Sequence, residues 1–245
     1  MNRILTALRR GFLIYGKNVW FSELISILFV IILSGSLAII TSIIFHNEII
    51  AHRDDIKLIE LRKENLVLQK EHHHLSNVIH ISETLRSILN NRITDQSIFR
   101  LSELIYSNSR QYSFDPFLLI AVIQVESYFN EKALGRFKSG NLSGAIGLMQ
   151  LKIETAQEMA KKLGLQELTM EDLLKPEVNI MIGVSYLTFL INKFKSFKLG
   201  ILAYNQGPGT VTSSIKSNQL SVKYYQKVLK AYYQLKREPG VASSK

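Results

Sequence analysis

Cysteine is absent from the 245 residues. That excludes disulfides, thiolate-bound metals, thiol nucleophiles and a lipid-bearing cysteine, while leaving the redox compartment open. Acids are scarce, 20 Asp and Glu against 30 Lys and Arg, and the net charge is +10. Such a balance suits an anionic partner, whether nucleic acid, anionic lipid or an acidic polymer, and charge alone does not choose among them. There is no phosphate-binding G-x-x-x-x-G-K-[ST] loop and no zinc-finger spacing. Runs with strand-like alternation are few.

What is present first is an uncharged run of 22 residues, Leu24 to Phe45. As a helix it reaches roughly 33 Å, against about 30 Å of bilayer hydrocarbon, so it predicts a transmembrane helix over 24–45. Arg3, Arg9, Arg10 and Lys17 precede it with no acid before Glu23. On the other side, Arg53 and Lys57 are outnumbered by Glu48, Asp54, Asp55 and Glu60. The positive-inside rule then puts residues 1–23 in the cytoplasm and the rest outside. A cleaved signal would carry a shorter apolar region and a small-x-small site, which does not follow here. The run therefore reads as an uncleaved, single-pass anchor.

Residues 46–92 are polar, helix-prone and free of Pro and Gly. Leu61, Leu68, Leu75 and Leu89 keep a seven-residue register that Ser82 interrupts. Leu58, Asn65, His72 and Ile79 form a half-polar companion series. Two readings fit equally: a short parallel coiled coil, giving a homodimer through residues 58–89, or one amphipathic stalk helix lying on the domain. His72, His73 and His74 are successive on a helix and point to different faces, so they are solvated histidines and not a metal site.

The globular part is expected over 93–238, mainly α, with a frayed tail over 239–245. Ile98, Leu101, Leu104 and Ile105 make a helical stripe. Asp115-Pro116 reads as N-cap and first helical residue. The body of the helix that follows is apolar on every side, which predicts burial all round. Further helices are expected over 153–163, 179–194, 197–204 and 221–236.

Glu126 lies about eleven residues into that apolar helix, and the next turn is expected to bring Phe129 and Asn130. A carboxyl beside apolar walls loses hydration, so its pKa rises and it can stay protonated as a general acid. A solvent-facing residue at the point where the helix surfaces is the plainer reading of Glu126 alone. Two other stretches bear on it. "SGAIGLMQL", 143–151, has two glycines three apart, which allow close backbone approach, and ends in Met149, Gln150 and Leu151. Gln150 offers a donor and an acceptor for a hydroxyl or amide. "LAYNQGPGTV", 202–211, stops a helix with Gly207, Pro208 and Gly209, and that stop does not require Tyr204 and Asn205 just before it.

"ESYFN", "GAIGLMQL" and "AYNQGPGTV", in that order, together with "LLKPEVNIMIGVSYL" between the last two, resemble the catalytic domain of the soluble lytic transglycosylase type. The fold of that family is related to goose-type lysozyme. In the fourth stretch the matching positions are Pro176, Asn179, Ile180, Gly183, Tyr186 and Leu187. The resemblance covers roughly 97–236. It implies a lysozyme-like helical domain in which Glu126 is the one catalytic acid and base. Ser127, Met149, Gln150, Tyr204, Asn205 and Tyr224 would then bind substrate. The chain departs from the family pattern at Glu131, at Lys152-Ile153, in the longer basic loop 135–142, and in "LSVK" ahead of Tyr224.

The reaction the resemblance implies is peptidoglycan cleavage at the N-acetylmuramic acid–N-acetylglucosamine bond without water, ending in a 1,6-anhydro ring. It requires no cofactor and no metal. The implied partners are glycan strands and, through the anchor, a membrane, with no nucleic acid. A two-carboxylate glycosidase would need a second acid near the scissile bond, and Glu131, Glu154 and Glu158 fall on faces expected to be exposed. A hydrolytic muramidase of the same fold and a membrane-anchored scaffold that binds glycan without cutting it are the alternatives.

Overall fold

The computed structural model describes the backbone of residues 2–90 and 92–237, and the side chains of 22–90 and 92–237. The tail expected over 239–245 lies outside the described residues. The chain divides into two units, Met1–Glu71 and His72–Lys245.

The first unit belongs to helix α1 (Asn2–Leu89). From Leu24 to Phe45 its large apolar side chains are exposed, Phe29 at 64% and Ile32 at 67%, and none of the described residues covers them. A water-facing stripe of this kind would oppose folding, whereas lipid accepts it. The few polar side chains of the run turn back onto their own helix. Ser34 Oγ donates to the Ile31 carbonyl, Ser36 Oγ to Leu33 and Thr41 Oγ1 to Ala38, at 2.9 to 3.0 Å. These three hydroxyls are paired without water, as a hydrocarbon environment demands. Among the described residues this is the one helix long and apolar enough to cross a membrane.

The second unit begins earlier than the boundary expected at 93. Val78, Ile81, Leu85 and Leu89 of α1, spaced three, four and four, are 0–2% exposed and enter the main core with Ile98, Leu101 and Ile105. The spacing places them on one stripe. Ser82, between them, donates from Oγ to Ser102 Oγ (2.9 Å), and His74 Nε2 meets Glu103 at 3.1 Å. The residue that interrupts the heptad series is therefore a packing contact of this core. Leu61, Leu68 and Leu75 remain exposed.

The rest is mainly helical, as expected: α2 (Asp95–Gln111), α3 (Pro116–Glu126), α4 (Ile153–Lys162), α5 (Met170–Leu173), α6 (Pro176–Phe194), α7 (Phe197–Gln206), α8 (Pro208–Lys216) and α9 (Lys223–Lys236). Thr94 caps α2 through its side chain. Asp115 caps α3, accepting from the Phe117 amide at 2.9 Å with Pro116 in the first turn. Phe117 to Ile123 are seven consecutive buried residues, so α3 runs through the core between α2 and α9.

Three features depart from the expectations. Short strands β1 (Leu134–Arg136), β2 (Leu142–Ile146) and β3 (Leu151–Lys152) form an antiparallel sheet where a loop leading into a helix was expected. Two of the strands have three residues or fewer, too short to show a period of two. Pro208 starts α8 besides following α7, because Gly207 at φ 83° lets one helix end and the next begin on the same residue. And α3 stops at Glu126, where a further turn was expected. Tyr128 and Phe129 adopt left-handed φ of 53° and 62°, which turns the chain sharply and buries Phe129 to 3%.

Asn179 of α6 ties the sheet to the helices. Only 1% exposed, it accepts from the Met149 amide (2.7 Å) and donates to the carbonyls of Ile146 (2.9 Å) and Leu173 (2.7 Å). Gly147, φ 75°, passes so close that a Cβ there would lie 2.3 Å from Asn179 Nδ2. Replacing Asn179 by Ala leaves three buried backbone groups unpaired. The expected cost is about 3 kcal/mol, or about 10 °C in midpoint for a unit of this size. Thermal unfolding followed by near-ultraviolet tyrosine circular dichroism checks this, and a loss of under about 1 kcal/mol would show that the network is not what holds the sheet.

Candidate functional site

Glu126 occupies the last helical position of α3. Burial of α3 on all sides fixes the backbone that carries it, and the left-handed pair Tyr128-Phe129 clears the chain from in front of it. A groove of about 850 Å³ opens there, lined by Glu126, Ser127 and Tyr128 from the end of α3. Its other walls come from the β1–β2 hairpin with Gln150, and from Tyr186, Tyr204 and Asn205. Glu126 is the only carboxylate on its walls among the described residues. Glu154 and Glu158 are exposed on α4, Glu131 is half-buried, and none of the three lines the groove.

Burial pushes the Glu126 carboxyl above the usual carboxylic range. A hydrogen bond from Tyr224 and the positive charge of Lys227 pull in the other direction and only partly offset it. The negative end of the α3 dipole adds to the upward push. Tyr224 Oη donates to Glu126 Oε1. Burial foremost, and the nearby Glu126 carboxylate, hold the Tyr224 phenol well above its ordinary pKa, so it remains a donor.

The other site residues named from sequence are placed as follows. Gln150, at φ 51°, lines the groove and donates from Nε2 to the carbonyls of Gly147 (2.9 Å) and Ala133 (3.3 Å). It clamps the hairpin and leaves Oε1 for other contacts. Tyr204 lines the groove, donates from Oη to the Met149 carbonyl (2.8 Å), and packs on Tyr186 with ring centroids 5.5 Å apart. Burial raises its pKa well above the ordinary value. Asn205 lines the groove and is exposed. Ser127 lines it too, its Oγ bonded back to the Ile123 carbonyl (3.3 Å).

Met149 is a correction. It was expected to line the groove, but it is fully buried and absent from the lining. Its side chain fills the space that the missing Cβ of Gly183 leaves, where a Cβ would lie 2.4 Å from Sδ. Its part at the site is its backbone, whose N–H bonds Asn179 and whose carbonyl holds Tyr204.

Several lining residues had not been singled out for the site: Tyr186, Tyr128, Arg136, Phe137, Lys152 and Thr155. Tyr186 lay within a quoted motif and could have been found there. Arg136 and Phe137 owe their place to the hairpin, which had no readable pattern. Among the described residues no cluster of three or more His, Asp or Glu could hold a metal ion.

The sequence pattern of the Transglycosylase SLT domain family matches residues 103–226. Among curated proteins, the membrane-bound lytic murein transglycosylase E of Buchnera aphidicola subsp. Baizongia pistaciae is 29% identical over 164 residues, covering 62% of this chain and 73% of that protein. The membrane-bound lytic murein transglycosylase C of Photorhabdus laumondii is 32% identical over 135 residues, 51% of this chain and 36% of that protein. Among solved structures, an inactive mutant of the lytic transglycosylase Slt from Pseudomonas aeruginosa is 26% identical with a TM-score of 0.46, covering 62% of this chain and 27% of that one. Apart from the first relative, then, the chain spans well under two thirds of these proteins.

The buried carboxyl carries a stability signature. Its folded pKa is raised, so the folded state binds the proton more tightly than the unfolded chain, and stability falls as pH rises through the raised value. The Glu126→Gln chain lacks this penalty. Its unfolding midpoint is expected to exceed that of the parent at neutral pH, with the gap closing as pH drops below the ordinary carboxylic range. A gap independent of pH would show that Glu126 is not the buried acid described.

Proposed function

Because the chain belongs to the transglycosylase SLT domain family, we propose that it is a membrane-anchored peptidoglycan lytic transglycosylase working through Glu126 alone. One observation carries the mechanism: a groove whose single carboxylate among the described residues is half-buried and raised in pKa.

Protonated Glu126 gives its proton to the glycosidic oxygen as the bond to C1 of N-acetylmuramic acid breaks. The carboxylate left behind takes the proton of the C6 hydroxyl of the same sugar. The C6 oxygen closes on C1, the 1,6-anhydro ring forms, and Glu126 is protonated again. Proton and bond counts balance without water. Tyr224, donating to Glu126, stabilises the carboxylate in the middle of the sequence. Asn205 and Tyr204, with Gln150 and Ser127, meet the sugars and their acetamido groups. A hydrolytic muramidase would need a second carboxylate to activate water, and no such group lines the described groove.

The exposed apolar run of α1 supports a membrane anchor. The basic flank Arg3, Arg9, Arg10 and Lys17 points to a cytoplasmic N-terminus and a periplasmic catalytic unit at the inner membrane. The exposed Leu61, Leu68 and Leu75 suit a homodimer.

The chain in detergent, incubated with purified sacculi, is expected to release muropeptides lighter by one water than hydrolytic products. Reducing ends alone would sink the transglycosylase reading in favour of a muramidase. No product would leave only the scaffold. The acid role also fixes a pH response. Activity needs protonated Glu126, so it falls as pH rises through the raised pKa. In Tyr224→Phe the carboxylate loses a donor, its pKa rises further, and the falling limb moves to higher pH with a lower maximum. A limb that stays in place would remove Tyr224 from the mechanism.

A further inference from the structure

Four aromatic rings line the groove that holds Glu126: Tyr128, Phe137, Tyr186 and Tyr204. Three are already engaged. Tyr204 packs on Tyr186, and Arg92 lies over the Tyr128 ring at 4.8 Å. Phe137 is the exception. It follows β1 directly, is 58% exposed, and belongs to none of the packed apolar clusters. Among the described residues no ring or cation is paired with it. Its backbone, by contrast, is fixed. The Phe137 amide donates to the Asn141 carbonyl (2.8 Å), and the Phe137 carbonyl accepts from the Gly140 amide (2.9 Å). Arg136 Nη1 donates to the Gly140 carbonyl (2.9 Å), tying its side chain across the same turn. A ring on such a backbone has two side-chain torsions to lose on contact, a low entropic cost for a large contact area.

The chemistry of the ring says what it takes. Phenylalanine has no donor, acceptor or charge, so it selects a flat apolar face. A β-1,4-linked N-acetylhexosamine presents one, because its ring substituents are equatorial. Its axial C–H bonds point at the negative face of an aromatic ring. We propose that Phe137 is a sugar-stacking platform that extends the groove along the glycan, so that the enzyme selects strands long enough to reach from Glu126 to the hairpin. The inference rests on the proposed glycan reading. The platform belongs to the loop 135–142, which is longer here than in the family pattern. Phe137 has no group that can move a proton, so it acts on binding and not on the chemical step.

The test is a binding measurement on the full Glu126→Gln chain in detergent, with peptide-free glycan strands sorted by length. Affinity is expected to rise with length until a strand spans Glu126 and Phe137. Adding Phe137→Ala is expected to weaken the long strands about tenfold, the scale of one aromatic face covered, and to leave the shortest strands that bind unchanged. Phe137→Trp keeps the long-strand affinity, and Phe137→Leu loses most of it. In the chain with Glu126 intact, Phe137→Ala raises KM on long strands and keeps kcat. Leu142→Ala removes an exposed apolar side chain of the same hairpin that does not line the groove, and it should change nothing. Unchanged affinity in Phe137→Ala, or an equal loss at every length, overturns the platform while leaving the glycan reading standing. So does an equal loss in Leu142→Ala, which would mark the hairpin tip as a general apolar patch, or a Phe137→Leu chain that binds like the parent. Failure of the Glu126→Gln chain to bind any strand overturns both.

Discussion

The site depends on one constraint, a carboxyl taken out of water at the end of a helix that cannot shift. Helix α3 is buried from Phe117 to Ile123, so its axis and register are set by packing on all sides, not by one amphipathic stripe. Any rotation that brought Glu126 into solvent would move seven core side chains. The cost of desolvating the carboxyl is therefore met by the core as a whole. Tyr128 and Phe129 add a local cost of their own. Two successive bulky residues in the left-handed region are unfavourable by roughly 1–2 kcal/mol each. They persist because Phe129 is buried in the same core.

The opposite wall is built differently. A sheet whose strands have five residues or fewer cannot hold its shape by ladder bonds alone. Side chains supply the missing bonds: Asn179 to three backbone groups, Gln150 to two, and Tyr204 to the Met149 carbonyl. Each side chain replaces part of a ladder, so the wall is tied to α6 and α7. The glycines serve the same end. Gly147 and Gly183 have no Cβ because Asn179 and Met149 already fill those spaces.

How far the sequence could be read follows from this division. Where periodicity governs, it was legible. The all-apolar α3, its Asp115-Pro116 start, the stripes of α2 and α4 and the charge-free run of α1 each state their environment in their spacing. Where bonds between distant residues govern, it was not. Nothing in "GRFKSGNLSGAIG" announces a hairpin, because its order comes from Asn179 and Gln150. Met149 sat in a motif beside Gln150, yet adjacent residues point apart, one into Gly183 and one into the groove. Val78, Ile81 and Leu85 had the right spacing, but the leucine heptad offered a competing seam, and only the packing partners Leu101 and Ile105 decide between them.

The electrostatics of Glu126 follow from what such a residue must do. A carboxyl that first gives a proton and then takes one cannot lie at either extreme of pKa. If held too low it is never loaded, and if held too high it is too weak an acid to hand its proton to the leaving oxygen. Burial alone drives the group upward without limit other than neutralisation. Tyr224 and Lys227 both act on it in the opposite sense, and both belong to α9, a helix that packs along α3. One helix thus supplies the dry environment that loads the acid, and its neighbour supplies the donor and the charge that let it unload.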